Sequence, residues 1–333
     1  MASSLSKFLL KGLAGLASPA GARARLSVLI YHRVLPVEDA FNNWDVTAGE
    51  FELQMRGVSE QFSPLPLGEA VERLATASLP ARAVCVTFDD GYADNAEIAL
   101  PILRKYRVPA TFFIATGYLD GGRMWNDTVT EAIRAIAAPT LDLASLGLGT
   151  VALGSVAARR AVIAKLLPVL KYLPVPEREA WASRLGDMAG IPGHSNLMMR
   201  EEQVRELHSA SMEIGAHTVT HPILLNTAPD VARREIVESG HRLAEIVRQP
   251  VRLFAYPNGK PGVDYGPAHV AMVRDAGYAA AVSTGWGVAT AQFDRFQLPR
   301  FTPWDRTPGR FALRLIRNMR NTKSAADWKA GAA

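Results

Sequence analysis

Two adjacent carboxylates stand directly after an apolar segment of the chain. Residues 84–88 have the sequence VCVTF, and Asp89, Asp90 and Gly91 follow them. A short apolar, β-branched run is typical of a buried parallel strand, and α/β proteins place active sites at the carboxyl ends of such strands. Like charges at close range raise each other's pKa, so we expect a positive group near this pair.

Two histidines follow a second short apolar segment much further along the chain. Residues 214–216 precede His217, and His221 lies four positions later. One carboxylate and two imidazoles can hold a borderline metal ion such as zinc and leave positions open for water. Residues four apart share a helix face, so a helical turn after the strand would let both rings reach one ion. Each motif alone could be a loop start or a chance spacing, but together they favour a metal site.

Both motifs match those of a known enzyme family. Residues 87–92 (TFDDGY) and residues 217–221 (HTVTH) resemble the first and second motifs of the polysaccharide deacetylases of the NodB-homology type, also called carbohydrate esterase family four. The resemblance extends from about residue 28 to 302. It implies a distorted seven-stranded (β/α)7 barrel and a metal-dependent hydrolase that removes acetyl groups.

The resemblance also implies roles for the residues of the two motifs. Asp90, His217 and His221 would bind a divalent metal ion, with zinc expected and cobalt or nickel as alternatives. Asp89 would be the general base, because the metal neutralises its neighbour and leaves Asp89 with a workable pKa. Such an ion would activate water and polarise the acetyl carbonyl.

The later motifs depart from the family pattern at two places. The third motif of the family carries an arginine that orients the base, and Ala255 stands at that position here. The last motif of the family supplies a histidine as general acid, and none occurs at 298–301. We expect Arg300 to replace the missing arginine by pairing with Asp89. His32, or a water on the metal, would then be the acid.

Six further residues are candidates for contact with substrate. By resemblance, a backbone N–H near Asn258 would hold the oxyanion, and aromatic faces can stack on sugar rings. Packing at the barrel rim is the alternative role for the aromatic candidates. The residues are Tyr256 and Trp286 as walls of an acetyl pocket, Pro257 and Asn258 in the third motif, and Trp125 and Asp127 beside a sugar cleft.

Alternating strand and helix patterns predict a parallel α/β fold. We expect a leader at 1–25 that is flexible or amphipathic, a deacetylase barrel at 26–305 and a basic C-terminal helix and tail at 306–333. The strand pattern disappears at about 128–196, which predicts a helical insertion there. The expected strands begin at 28, 84, 110, 212, 251, 278 and 297.

Composition limits the possible partners. The formal charge of +5 over 333 residues comes with no basic stripe interleaved with aromatic residues, so we expect no nucleic-acid partner. Cys85 is the single cysteine and is expected to pack in the core. The apolar segment at 8–17 is too short to span a bilayer and is interrupted by Lys11. We expect a cytoplasmic or peripheral membrane protein, with the basic helix at 310–320 either on a membrane surface or docked on the barrel.

The expected substrate is an N-acetylated glycan of the bacterial surface, or an exported or lipid-linked form of one. Removal of O-acetyl or formyl groups, and hydrolysis of an amide that is not a sugar, are alternatives within the enzyme class. A glycan-binding protein that keeps the fold but has lost turnover is the alternative from another class, and the absent acid histidine favours it.

Overall fold

The computed structural model describes residues 4–42 and 44–322, with side chains described from Leu9 onward. The sequence folds into twelve strands and eleven α-helices within these ranges. The strands are β1 Ser27–Tyr31, β2 Val34–Leu35, β3 Val46–Thr47, β4 Ser63–Pro64, β5 Ala83–Phe88, β6 Ala110–Ile114, β7 Thr140–Leu143, β8 Gly149–Ala152, β9 Glu213–Ala216, β10 Leu253–Ala255, β11 Ala280–Trp286 and β12 Leu298–Arg300. The helices are α1 Ser4–Ala17, α2 Ala48–Gln61, α3 Leu67–Ala75, α4 Leu100–Tyr106, α5 Trp125–Ala135, α6 Val156–Lys171, α7 Val175–Ala189, α8 Glu201–Ser209, α9 Pro229–Val247, α10 Pro267–Asp275 and α11 Pro308–Asn318.

The main sheet is parallel and nearly closed. Its order is β1-β5-β6-β9-β10-β11-β12, and these are the seven strands that the sequence predicts. The first and last strands meet through Phe301, whose N–H donates to Val28 O at 2.8 Å and whose carbonyl accepts from Ile30 N at 3.0 Å. This arrangement confirms the predicted seven-stranded barrel. The short strand β4 is an addition that pairs with the first residues of β5.

Alternate side chains of the strands enter two different core clusters. Val28, Cys85 and Val282 pack with the buried residues of α3, whereas Leu29 and Val86 pack with the helices outside the sheet. The period of two along each strand produces this division. A polar residue that continues the Val28–Cys85–Val282 face past a strand end therefore lies inside the barrel mouth.

The chain divides into two compact units. The first comprises residues 1–37, 44–119 and 199–333, and contains the barrel. The second comprises residues 38–43 and 120–198. The barrel unit includes α1, in which Ala14 and Ala17 are buried in the same cluster as α11. The rest of the predicted C-terminal tail, from residue 323, lies outside the described residues.

The second unit is not purely helical, which corrects the prediction for 128–196. Helices α5, α6 and α7 form a core of their own. Between the first two lies an antiparallel hairpin in which β7 pairs with β8. Leu141 and Leu143 are buried and alternate with exposed neighbours. Gly147 in the turn and Gly149 at the start of β8 both have positive φ. This alternation is a strand signal, but it is only four residues long.

Candidate active site

Asp89 and Asp90 lie at the carboxyl end of β5 with different backbone conformations. Asp89 continues the face of Cys85 and Thr87, so its side chain is directed into the barrel mouth. At Asp90 the chain turns with φ of 76°, and Gly91 follows with φ of 92°. A Cβ at Gly91 would lie 2.9 Å from Ile114 Cγ2, so glycine is required here by both conformation and space.

Arg300 binds Asp89 through both carboxylate oxygens. It lies on the same face of β12 as Leu298 and is almost fully buried. Its Nη1 donates to Asp89 Oδ1 and its Nη2 to Oδ2, both at 2.6 Å. The guanidinium also donates to Ser283 O at 2.9 Å and to Thr87 Oγ1 at 3.2 Å. The bonds to Ser283 and Thr87 hold the guanidinium in place. The two bonds to Asp89 then fix the plane of its carboxylate, since a bidentate arginine pair constrains both distance and orientation.

The histidine loop after β9 brings both rings to Asp90. Asp90 Oδ1 lies 3.5 Å from His217 Nε2 and 3.4 Å from His221 Nε2. His217 Nδ1 lies 2.7 Å from Ala255 O, which accepts its hydrogen bond and leaves Nε2 as the free ligand atom. The loop is not the expected helical turn, because Thr218 and His221 have φ of 64° and 52°. The Thr218 hydroxyl instead accepts from His221 N at 3.1 Å.

These three residues fit a metal ion. Their ligand atoms all lie within 4.8 Å of one another. Asp90 Oδ1 is buried and accepts no hydrogen bond from the described part of the chain. Two ligand atoms about 2.1 Å from a tetrahedral zinc ion are about 3.4 Å apart, close to the two separations that involve Asp90. An orphaned buried oxygen facing two imidazoles is the donor set of a cation site.

Burial and charge act in opposite directions on these groups. Burial disfavours the carboxylate of Asp89, but the charges of Arg300 and His217 outweigh it and lower the pKa of Asp89 below its usual value. Burial lowers the pKa of His217, but the negative charges of Asp89 and Asp90 outweigh it and raise that pKa. Burial dominates at His221 and lowers its pKa to about 3. Asp89 is therefore ionised and His221 neutral at neutral pH.

The raised pKa of His217 predicts pH-dependent metal binding. A proton on His217 competes with the ion, whereas His221 carries no proton to displace. We expect affinity to rise about tenfold per pH unit up to the raised pKa and to level off above it. Metal titration against a chromophoric chelator between about pH 5 and 8 measures this, the range in which histidines change charge. Affinity independent of pH would count against His217 as a ligand.

Glu235 on α9 holds the histidine loop and was not identified from the sequence. Its Oε2 accepts from Val219 N at 2.7 Å and Thr220 N at 2.8 Å, and its Oε1 accepts from the Thr220 hydroxyl at 2.6 Å. The carboxylate thus fixes the loop between the two histidines. A lone glutamate on the polar side of a helix gives no sequence signal, because most such residues are solvated.

Replacing Glu235 with alanine is expected to weaken metal binding by about 10- to 100-fold, the usual effect of removing a group that orients ligands. Unfolding free energy should fall by about 1–3 kcal/mol, since two partly buried N–H groups lose their acceptor. Glu238→Ala, an exposed position on the same helix, controls for the loss of a helical glutamate. Unchanged metal affinity in Glu235→Ala would show that the loop keeps its conformation unaided.

His32 is exposed and Asn258 is half-buried. His32 is exposed just after β1, and its charge affects the pKa of both Asp89 and Asp90. Asn258 has φ of 58°, and its carbonyl accepts from Thr284 Oγ1 at 2.8 Å. Within the described residues the Asn258 N–H has no hydrogen-bond acceptor. The neighbouring Pro257 is buried. The roles of these residues stay predictions.

Tyr256 and Trp286 occupy two different environments. Tyr256 is fully buried on the outer face of β10, its ring stacks on Tyr265 at 3.8 Å, and its hydroxyl donates to Phe296 O. Trp286 is 43% exposed and its ring lies 5.6 Å from that of Trp304. The burial of Tyr256 favours a packing role for that residue, and the substrate contact of the exposed Trp286 stays a prediction.

Trp125 and Asp127 lie in the first turn of α5, in the second unit. The Trp125 ring is buried under the guanidinium of Arg178, which lies 5.2 Å from the ring centroid. Asp127 is half-buried. Within this unit the tryptophan packs rather than presenting a free face, and contact of either residue with sugar stays a prediction.

Comparison with known proteins agrees with this geometry. A family model described as polysaccharide deacetylase matches residues 76–146 and 157–281. The putative polysaccharide deacetylase YxkH of Bacillus subtilis (strain 168) is 22% identical over 279 residues, which cover 83% of this chain and 71% of that protein. The poly-beta-1,6-N-acetyl-D-glucosamine N-deacetylase of Staphylococcus aureus (strain N315) is 37% identical over 85 residues, which cover 25% of this chain and 29% of that protein.

Two solved structures share the fold. The Streptococcus pyogenes deacetylase PplD in complex with acetate superposes with a TM-score of 0.59 at 22% identity, covering 89% of this chain and 98% of that one. IcaB from Ammonifex degensii gives a TM-score of 0.56 at 21% identity with the same coverage. At these identities the superpositions establish the barrel alone.

Proposed function

Since the chain belongs to the polysaccharide deacetylase family, hydrolases that act on carbon–nitrogen bonds, we propose that it removes N-acetyl groups from amino sugars of a bacterial surface or exported polysaccharide, or of its lipid-linked precursor. The observation that carries this proposal is one buried arrangement at the barrel mouth. A carboxylate held by an arginine lies beside a second carboxylate whose free oxygen faces two imidazoles.

Asp90, His217 and His221 would hold a divalent cation. When bound, such an ion polarises the acetyl carbonyl and lowers the pKa of water. Zinc suits this ligand set of one carboxylate and two imidazoles, and cobalt or nickel would be accepted by the same donors. The hydrogen bond from His217 to Ala255 O keeps its ring in the tautomer that binding requires.

Asp89 is the proposed general base. Arg300 lowers its pKa and keeps it ionised at neutral pH, so it is ready to accept the proton of the attacking water. Each carboxylate oxygen accepts one bond from Arg300 and has a second lone pair for that proton. Arg300 also stabilises the carboxylate's orientation, so no reorganisation is needed at the moment of reaction.

Asn258 and His32 supply the two remaining functions of the proposal. The Asn258 N–H has no acceptor within the described residues and sits in a backbone fixed by Thr284, so it can donate to the oxyanion that forms from the acetyl carbonyl. The amine is a poor leaving group and must be protonated. His32 is exposed, its charge lowers the pKa of both Asp89 and Asp90, and it is the proposed acid.

The test is acetate release by zinc-loaded protein from soluble oligomers of β-1,6-linked N-acetylglucosamine. The name of the S. aureus relative supports this as the first substrate. β-1,4-linked oligomers, an acetyl ester and an N-formyl sugar complete the panel, and Asp89→Asn is the control. If the protein hydrolyses only the ester or only the formyl sugar, the proposed reaction becomes removal of O-acetyl or N-formyl groups. Zinc and glycan binding without acetate release above the control would favour a glycan-binding protein.

A further inference from the structure

The C-terminal helix α11 carries an unpartnered cationic face. Its apolar side is docked, since Phe311, Leu315 and Ile316 are buried in the core cluster that contains α2. Its opposite side presents the exposed Arg310, Arg317 and, just after the helix, Arg320. None of these three forms an ion pair with any residue in 9–42 or 44–322. Residues 306–320 contain five arginines and no acidic residue.

Exposed apolar side chains lie among these arginines. Leu313 is 54% exposed, Trp286 43% and Trp304 55%. Trp286 and Leu313 line a surface cleft of about 650 Å³ together with Arg310, Arg314 and Arg317. The only acidic residue lining that cleft, Asp305, is paired with Arg314. The surface therefore combines tryptophan and leucine with two arginines, Arg310 and Arg317, that pair with no acidic residue in the described ranges. We refer to the cleft residues together with Trp304 as the α11 face.

The neighbouring helix adds a leucine stripe. Helix α1 packs against α11 and buries Ala14 and Ala17. Leu9, Leu13 and Leu16 lie at helical spacing about 100° away from that buried side and are 57%, 47% and 82% exposed. These three leucines therefore remain in contact with water in the folded protein. Burying them in an apolar environment would release free energy that folding alone does not provide.

We propose that the α11 face and the leucine stripe of α1 dock the protein on the surface of an anionic phospholipid bilayer. Arginines attract the negative headgroups, tryptophans favour the interface between headgroups and chains, and leucines gain by entering the acyl boundary. An acidic glycan would match the arginines and tryptophans but gives no reason for four exposed leucines. No helix in the described residues is long and apolar enough to cross a membrane, so the contact is peripheral. The inference is independent of the proposed chemistry at the barrel mouth.

The test uses the full chain and vesicles of mixed phosphatidylglycerol and phosphatidylcholine, with pure phosphatidylcholine vesicles for comparison. We expect co-sedimentation with the anionic vesicles and weakening by added salt, since surface charge attraction is screened. The Arg310→Gln/Arg317→Gln variant should bind roughly 30-fold more weakly, because each arginine near an anionic surface contributes about fivefold. Leu13→Ser/Leu16→Ser should also weaken binding while leaving its salt dependence intact.

The matched control is Arg160→Gln/Lys165→Gln, which removes the same charge from exposed positions of α6. This control should bind anionic vesicles with the affinity of the wild type. If it loses as much affinity as the α11 variant, the effect comes from net charge alone and the proposal is wrong. Failure of the wild type to bind anionic vesicles would also overturn it. Binding to a soluble acidic polysaccharide with no binding to vesicles would assign the face to a glycan instead. Circular dichroism of each variant checks that it is folded.

Discussion

An Asp89→Asn variant is expected to keep its metal and lose about 10²- to 10⁴-fold in kcat, the usual contribution of a general base. Asparagine retains the shape of the side chain and one acceptor for Arg300, but it cannot take a proton from water. The proposed metal ligands are Asp90, His217 and His221, so zinc content measured by mass spectrometry should stay at the wild-type level. The rate of acetate release then reports the base alone.

The substitution also leaves Arg300 buried without its anion. Breaking a buried pair by removing one partner costs about 3–5 kcal/mol, so activity must be measured well below the variant's melting temperature. Asp187→Asn, at an exposed position of α7, is the matched control and should match the wild type in both rate and melting temperature. Acetate release near the wild-type rate in folded, zinc-loaded Asp89→Asn would remove Asp89 from the mechanism.

A His221→Gln variant is expected to lose both tightly bound zinc and turnover. A bound ion supplies several kcal/mol of transition-state stabilisation, and 1.36 kcal/mol corresponds to tenfold in rate, so we expect a loss of about 10³-fold or more. His221 has a pKa of about 3 in the metal-free protein, so it is neutral at neutral pH. Replacing it with neutral glutamine therefore leaves the charge of the metal-free site unchanged. Zinc content and acetate release are measured on the same preparations.

Exposed His241 on α9 provides the control, since His241→Gln changes the same residue type away from the site. It should retain zinc and activity. Treatment of the wild type with a chelator should reproduce the His221→Gln phenotype, and added zinc should restore only the wild type. Full activity in metal-free His221→Gln would contradict the metal site, whereas loss of activity with retained zinc would assign His221 another role.

Several elements were predictable because their signals are local. Most of the barrel strands, among them β1, β5, β6, β9 and β10, are largely apolar runs, and such runs are buried wherever parallel strands are covered on both faces. Asp89 and His217 follow two of them directly, so the sheet alone brings the carboxylate and the imidazole to one edge. Helices α6 and α7 also follow helical periodicity in the sequence.

Other elements depend on distant partners. The pair between Arg300 and Asp89 was expected from the family motifs, but it joins residues 211 positions apart, and its bidentate geometry requires β1, β5 and β12 to close the sheet. Glu235 is recognisable only when the loop at 218–220 is folded against α9. The same loop does not form the predicted helical turn. Its backbone N–H groups donate instead to the Glu235 carboxylate and the Thr218 hydroxyl, which stabilises a loop with left-handed residues.

By itself the sequence determined which groups are present at the barrel mouth: one candidate base, three metal-ligand candidates and the strands that carry them. Only the tertiary structure decided how they act on one another, because pKa values and metal affinity depend on burial and on distances of a few ångströms between residues far apart in the chain. It also decided which apolar residues stay exposed. The leucines of α1 and the tryptophans beside α11 have core-like residue types, and only the folded barrel leaves them at the surface.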